Sequence, residues 1–130
     1  MDTQELKSLK GLRVLVVDDN DIMRRIINNT LMNWQVAPSL ASNGKMAMEM
    51  LSKNVYDVVL MDIMMPGMDG YETTREIRAL DGAYFRNLPI FACSASPDIG
   101  RIMECGMNGQ IAKSPIDRQE MHMKISPYLK

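Results

Sequence analysis

Short, wholly apolar runs alternate along this chain with stretches whose apolar positions recur every three or four residues. Val14-Leu15-Val16-Val17 is the first run, β-branched at three of its four positions and closed by two acids. Behind Asn20, a residue type that caps helix starts, Ile22, Met23, Ile26, Ile27 and Leu31 recur at helical period. Val36 to Ala41 predicts a second strand, broken by Asn43-Gly44, and Met46 to Leu51 a helix with Ala47, Met50 and Leu51 on one side. Val58-Val59-Leu60-Met61 predicts a third strand, and Tyr71 to Leu80 a helix stopped near Gly82. Pro89-Ile90-Phe91-Ala92-Cys93 predicts a fourth strand with proline at its entry, and Gln110-Ile111-Ala112 a weak fifth. A last short helix follows Asp117 and stops before Pro127. Strand–helix alternation is the pattern of a parallel sheet covered on both faces. Runs apolar throughout belong to strands buried on two sides, and the crossovers should be right-handed.

Composition narrows this picture. The chain has 130 residues, enough for one domain with a core that needs no disulfide or metal support. Lys and Arg total 15 against 16 Asp and Glu, a net charge of −1, which gives no reason to expect nucleic-acid or anionic-membrane binding. Cys93 and Cys105 form neither a C-x-x-C pair nor a framework, which points to a reducing, cytoplasmic setting. The start of the chain carries acids and no apolar leader, and the longest apolar runs are strand-sized. Residues 1–10 read as a polar lead-in or linker remnant, and 11–130 as the domain. One histidine, His122, argues against a histidine-based triad or a multi-histidine zinc site.

In such a sheet, function gathers at the carboxyl ends of the strands. The first run delivers Asp18 and Asp19 there, the third Asp62, the fourth Ser94 and the fifth Lys113. Three carboxylates in one place repel one another, and a hard divalent cation relieves that repulsion. Mg²⁺ prefers oxygen ligands and often bridges to phosphate. Lys113 supplies a point charge, and Ser94 a hydroxyl, suited to phosphate oxygens. The set reads as a site for phosphoryl transfer with a carboxylate nucleophile. Taken singly, each acid could equally be a turn residue or helix cap.

These residues resemble the receiver domain of two-component response regulators. Val16-Val17-Asp18-Asp19-Asn20 is similar to the family's acidic-pair segment, and Met61-Asp62-Ile63-Met64-Met65-Pro66-Gly67-Met68-Asp69-Gly70 to the segment around its phosphoacceptor. Ala92-Cys93-Ser94-Ala95 resembles the switch-hydroxyl strand and Ala112-Lys113 the lysine segment. The resemblance covers the chain from about Leu12 onward. It implies a flavodoxin-like (CheY-like), doubly wound sheet of five parallel strands in the order 2-1-3-4-5. It also implies that Asp62 accepts a phosphoryl group from a histidine kinase or a histidine phosphotransfer domain. Asp19, Asp62 and the main-chain carbonyl of Met64 would bind Mg²⁺ (or Mn²⁺), with Asp18 acting through water. Lys113 would pair with the phosphoryl oxygens, and Ser94 would move toward them. Asn20-Asp21-Ile22 and Asn43-Gly44 look most like receivers of hybrid histidine kinases. Such a module is not an enzyme beyond its own phosphorylation and slow self-dephosphorylation. It would act as a monomer or weak dimer without touching nucleic acid or membrane.

The departures lie in the last third. Ser94 to Lys113 is shorter than the family pattern, and Pro97 and Gly100 are poor helix residues, so a short or distorted fourth helix is expected. Gln110 stands where the family usually has an aromatic switch residue. Ser114 separates Lys113 from Pro115, which confines any cis peptide bond to Ser114–Pro115. Pro127 limits the last helix to about eight or nine residues.

Fourteen methionines stand out. Met61, Met64, Met65 and Met68 read as adaptable core fillers rather than a soft-metal site. Met64, with Ser96 as its companion position, cannot orient an attacking water, so slow self-dephosphorylation is expected. Cys93 reads as a buried small hydrophobe, His122 as a surface residue, and Arg24-Arg25 as a solvated helix face that could also help a kinase dock. Two other functions compete. A haloacid-dehalogenase-type Mg²⁺-dependent phosphohydrolase would need a second Asp where Met64 stands. A pseudo-receiver binding module would need no intact acids and lysine.

Overall fold

In the computed structural model, residues 9–94, 98–113 and 115–129 are described. Five strands form one parallel sheet: β1 (Val14–Val17), β2 (Ser39–Ala41), β3 (Val58–Met61), β4 (Ile90–Ala92) and β5 (Gly109–Gln110). Their order is β2-β1-β3-β4-β5, as the family resemblance implied. β1 and β3 span the predicted apolar runs. β2 is shorter than expected, because Pro38 has no amide to give a ladder. β5 keeps only two paired residues, ending before Ile111.

Side chains alternate across the sheet. Leu15, Val17, Val59, Met61, Ile90 and Ala92 face one layer, while Val14, Val16, Val58, Leu60, Phe91 and Cys93 face the other. The first layer is closed by Ala47 and Leu51 of α2 (Gly44–Lys53), Tyr71 and Ile77 of α3 (Gly70–Arg78), and Ile102 and Cys105 of α5 (Ile99–Cys105). Tyr84 and Phe85 of α4 (Ala83–Asn87) pack against it. The second is closed by Ile27 and Leu31 of α1 (Asp21–Asn33) and by Met121 and Ile125 of α6 (Arg118–Ile125). Leu9, inside the stretch read as lead-in, is buried in this second layer.

Helix starts follow one rule. Asn20, Asn43, Asp69, Asp98 and Asp117 each accept a hydrogen bond from the amide three residues on. Such a cap is worth about 1 kcal/mol. The expected short fourth crossover helix is α5, seven residues long, ended by Gly106 in the left-handed region. α6 has eight residues, and Pro127 turns the chain into a 3₁₀ turn, Ser126–Tyr128. α4 has no counterpart in the hydrophobic pattern: it has five residues and no side-chain cap, and Gly82 at φ 118° precedes it. Ala95, Ser96, Pro97 and Ser114 lie outside the described residues, and with them the expectations placed on Pro97, Ser96 and the Ser114–Pro115 bond.

At the amino ends of β1, β3 and β4 a groove of about 660 Å³ runs between Lys10–Leu12, Val55–Asp57, Tyr84 and Leu88, and Tyr128–Leu129. Arg13 and Asp57 pair beside it (Nη2–Oδ1 3.2 Å).

Candidate functional site

The register aligns the strand ends. Val17 pairs with Met61, Met61 with Ala92, and Ala92 with Gln110. The ladder then continues one step past the strands. Asp18 N donates to Ala41 O (3.0 Å), Asp62 N to Val17 O (2.8 Å), Cys93 N to Met61 O (2.8 Å) and Ile111 N to Ala92 O (2.8 Å). Asp18 and Asp62 therefore leave neighbouring strands on the same row. Asp18 is 1% and Asp62 5% exposed, while Asp19 is exposed.

Lys113 arrives from the far edge of the sheet and crosses the end of β4. Its Nζ lies 2.8 Å from Asp18 Oδ2 and 3.4 Å from Asp62 Oδ1. Cys93 is buried just past β4, and burial pushes its thiol up to about 12. Burial acts to lower the Lys113 pKa, but the close-lying carboxylates of Asp18 and Asp62 outweigh it and hold the ammonium above the ordinary lysine value. Burial first, and the charge of Asp18 second, push the Asp62 carboxyl above the ordinary aspartate value, against the pull of Lys113.

The acidic group is short of partners. Asp18 Oδ1 accepts from Asn20 N at 2.9 Å. Asp18 Oδ2 is buried and has no well-directed hydrogen bond among the described residues, despite the nearby ammonium. One carboxylate oxygen from each of Asp18, Asp19 and Asp62 lies within 4.8 Å of the others. Three carboxylates against one ammonium leave two negative charges unbalanced. An all-oxygen set with that imbalance suits a hard divalent cation and not a thiophilic one. The residues present thus fit Mg²⁺.

The loop from Asp62 to Asp69 is pinned where it returns. Gly70 N donates to Ile63 O at 2.9 Å, and a Cβ on Gly70 would sit 2.2 Å from the Asp62 carbonyl oxygen. Only glycine lets the first turn of α3 press this closely on the strand end. Met64 is 77% exposed at the crest of the loop, so it fills no core, whereas Met61 and Met65 are buried as expected. Ser94 lies two residues past β4, half-buried, with no hydrogen bond to the acids among the described residues.

Two side chains correct or extend the sequence reading. Arg24 is not a solvated face residue. Its Nη1 donates to the Asp18 carbonyl at 2.7 Å and its Nη2 pairs with Asp21, because one helical turn carries it back over the β1 exit. Arg25 is exposed as expected. Tyr71, buried at the start of α3, accepts a hydrogen bond from Asp98 N at 3.1 Å, and Arg101 lies 4.2 Å over its ring. An aromatic at the start of α3 thus links the end of the Asp62–Asp69 loop to the start of α5, although position 110 has none.

With this geometry in place, the chain can be set beside known proteins. It matches the response regulator receiver domain model over residues 14–126, and it belongs to that family. It is 31% identical over 143 residues to the probable histidine kinase 4 of Oryza sativa subsp. japonica, covering 93% of this chain and 14% of that protein. It is 34% identical over 119 residues to the autoinducer 2 sensor kinase/phosphatase LuxQ of Vibrio vulnificus, covering 89% of this chain and 13% of that protein. The chain therefore spans a small part of the curated relatives it matches. The receiver domain of the histidine kinase CKI1 from Arabidopsis thaliana, complexed with Mg²⁺ and BeF3⁻, superposes with a TM-score of 0.81 at 30% identity, covering 96% of this chain and 94% of that one. The receiver domain of sensor histidine kinase PA1611 from Pseudomonas aeruginosa PAO1, with magnesium in its active site cleft, gives 0.77 at 31% identity, covering 91% and 97%. Among the described residues no helix is long and apolar enough to cross a membrane.

Proposed function

We propose that this chain, as a receiver module over residues 11–130, accepts a phosphoryl group on Asp62 from a phosphohistidine of a histidine kinase or phosphotransfer domain. The observation that carries this reading is a buried Asp62 carboxylate held beside Asp18, with the Lys113 ammonium 3.4 Å from its Oδ1. An oxygen of Asp62 attacks phosphorus, the donor's P–N bond breaks, and the imidazole leaves with the bonding pair. Asp19, Asp62 and the Met64 carbonyl would hold Mg²⁺ or Mn²⁺, with Asp18 acting through water. The metal would neutralise charge that the transferred group brings. Lys113 stands ready to pair with a phosphoryl oxygen, and Ser94 to donate to another. The exposed Met64 side chain offers no group to direct water, which supports a long-lived acyl phosphate.

Incubation with acetyl phosphate and Mg²⁺, read by intact mass, tests this. One added phosphoryl group, absent in Asp62→Asn, is expected. Repeated turnover of a phosphate ester would make the chain a hydrolase, and no adduct would leave a binding module. An adduct half-life of only seconds would overturn the role given to Met64.

A further inference from the structure

We propose that Glu120, on α6, is the positioning residue for Lys113, an inference that rests on the phosphoacceptor reading above. β5 has two paired residues at the sheet edge, and its last ladder bond is Ile111 N to Ala92 O. Two residues later the chain must hold a lysine whose side chain reaches across β4 to Asp18 and Asp62. A free lysine loses rotamer freedom when held in one pose, so the backbone that launches it needs an anchor.

That anchor comes from α6. Ala112 N donates to Glu120 Oε1 at 2.9 Å. Glu120 Oε2 lies 3.1 Å from Lys124 Nζ, and the same ammonium donates to the Gln110 carbonyl. One i, i+4 pair thus grips the β5 exit on both sides of Ile111, at the carbonyl of 110 and the amide of 112. Glu120 is itself placed by its amide, which donates to the Asp117 cap at 2.9 Å. Ile111, Met121 and Ile125 are buried beneath this clamp.

The clamp should act on the phosphoryl group and not on the metal, because Lys113 bears no donor oxygen. The test compares the full chain with Glu120→Ala and Glu120→Gln. Mg²⁺ alone is titrated calorimetrically, then beryllofluoride at saturating Mg²⁺. In Glu120→Ala, beryllofluoride affinity should fall about tenfold, the scale of a modest misplacement, with Mg²⁺ affinity within about twofold. Glu120→Gln keeps an oxygen for Ala112 N and should restore most of the loss. Amide exchange at Ala112 should quicken in Glu120→Ala and return to the wild-type rate in Glu120→Gln. Should Glu120→Ala not fold, Glu120→Asp, whose shorter side chain withdraws the oxygen, should show the same split. Unchanged beryllofluoride affinity, or equal loss of both affinities, overturns the inference. A wild-type chain that binds no beryllofluoride overturns the phosphoacceptor reading and this inference together.

Discussion

Two regions of this molecule bury charge, and they treat it in opposite ways. Arg78, at the end of α3, directs its guanidinium at neutral acceptors. Nε donates to Gly106 O (3.0 Å), Nη1 to Phe85 O (2.8 Å) and Leu88 O (2.7 Å), and Nη2 to Asn108 Oδ1 (3.0 Å). No carboxylate pairs with it among the described residues. Across the sheet, the acids share one ammonium, and Asp18 Oδ2 lacks a directed hydrogen bond. The first arrangement ties α3, α4, α5 and the start of β5 together and leaves nothing to bind. The second leaves a carboxylate oxygen without a directed partner, which suits the cation and phosphoryl group proposed for it. The structural charge is met by acceptors that the fold supplies, and the acidic group is left short of donors.

Removing Arg78 should therefore cost most. Arg78→Ala strands three carbonyls and is expected to lose about 3 kcal/mol in urea denaturation. Arg78→Lys should recover less than half, since an ammonium cannot fork to all four acceptors. If Arg78→Ala is near neutral, the contrast between the two regions is wrong.

Gly70→Ala should come next. Its Cβ would meet the Asp62 carbonyl oxygen at 2.2 Å, an overlap expected to cost about 2 kcal/mol. It should also slow acetyl-phosphate labelling, whereas Arg78→Ala leaves the folded fraction labelling normally.

The acidic region should respond with the reverse sign. In metal-free protein, Asp62→Asn is expected to stabilise the fold by about 1 kcal/mol near neutral pH, read as a rise in Tm. Burial and Asp18 raise the folded Asp62 above the ordinary 3.8, so the folded state holds the proton longer than the unfolded chain. Wild-type stability is thus lost as pH rises from 3.8 through the raised value. The advantage of Asn should be absent below 3.8 and grow across that window. Saturating Mg²⁺ should erase it. A pH-independent advantage would show that the carboxylate is not strained.

The smallest effect belongs to the link between the regions. Tyr71→Phe removes one acceptor from Asp98 N and should cost about 0.5 kcal/mol. Faster amide exchange at Asp98, with labelling of Asp62 unaltered, is the expected reading.

The same contrast separates the features that are legible in the amino-acid sequence from those that are not. β1 and β3 are contiguous apolar runs that end on acids, so their extent and the meeting of Asp18, Asp19 and Asp62 are carried by local pattern. Lys113 is legible as a strand-end residue, but its reach to Asp18 and Asp62 depends on the register of the strands between them. The roles of Arg24 and Arg78 are not legible, because their partners are main-chain carbonyls, which leave no mark on a sequence. α4 escapes for a related reason: five residues are too few to show a period. The stretch Val36 to Pro38 misleads because Val36 is buried without being paired in the sheet.

The groove at the amino ends of the strands brings Lys10–Leu12 and Tyr128–Leu129 to one rim, and the acids occupy the other. The described fold thus has a handle and a working edge. A surface anchor attached near residue 10 or 129 sits at the end of the sheet away from Asp62. Donor docking can then be followed on immobilised protein without blocking the face under study.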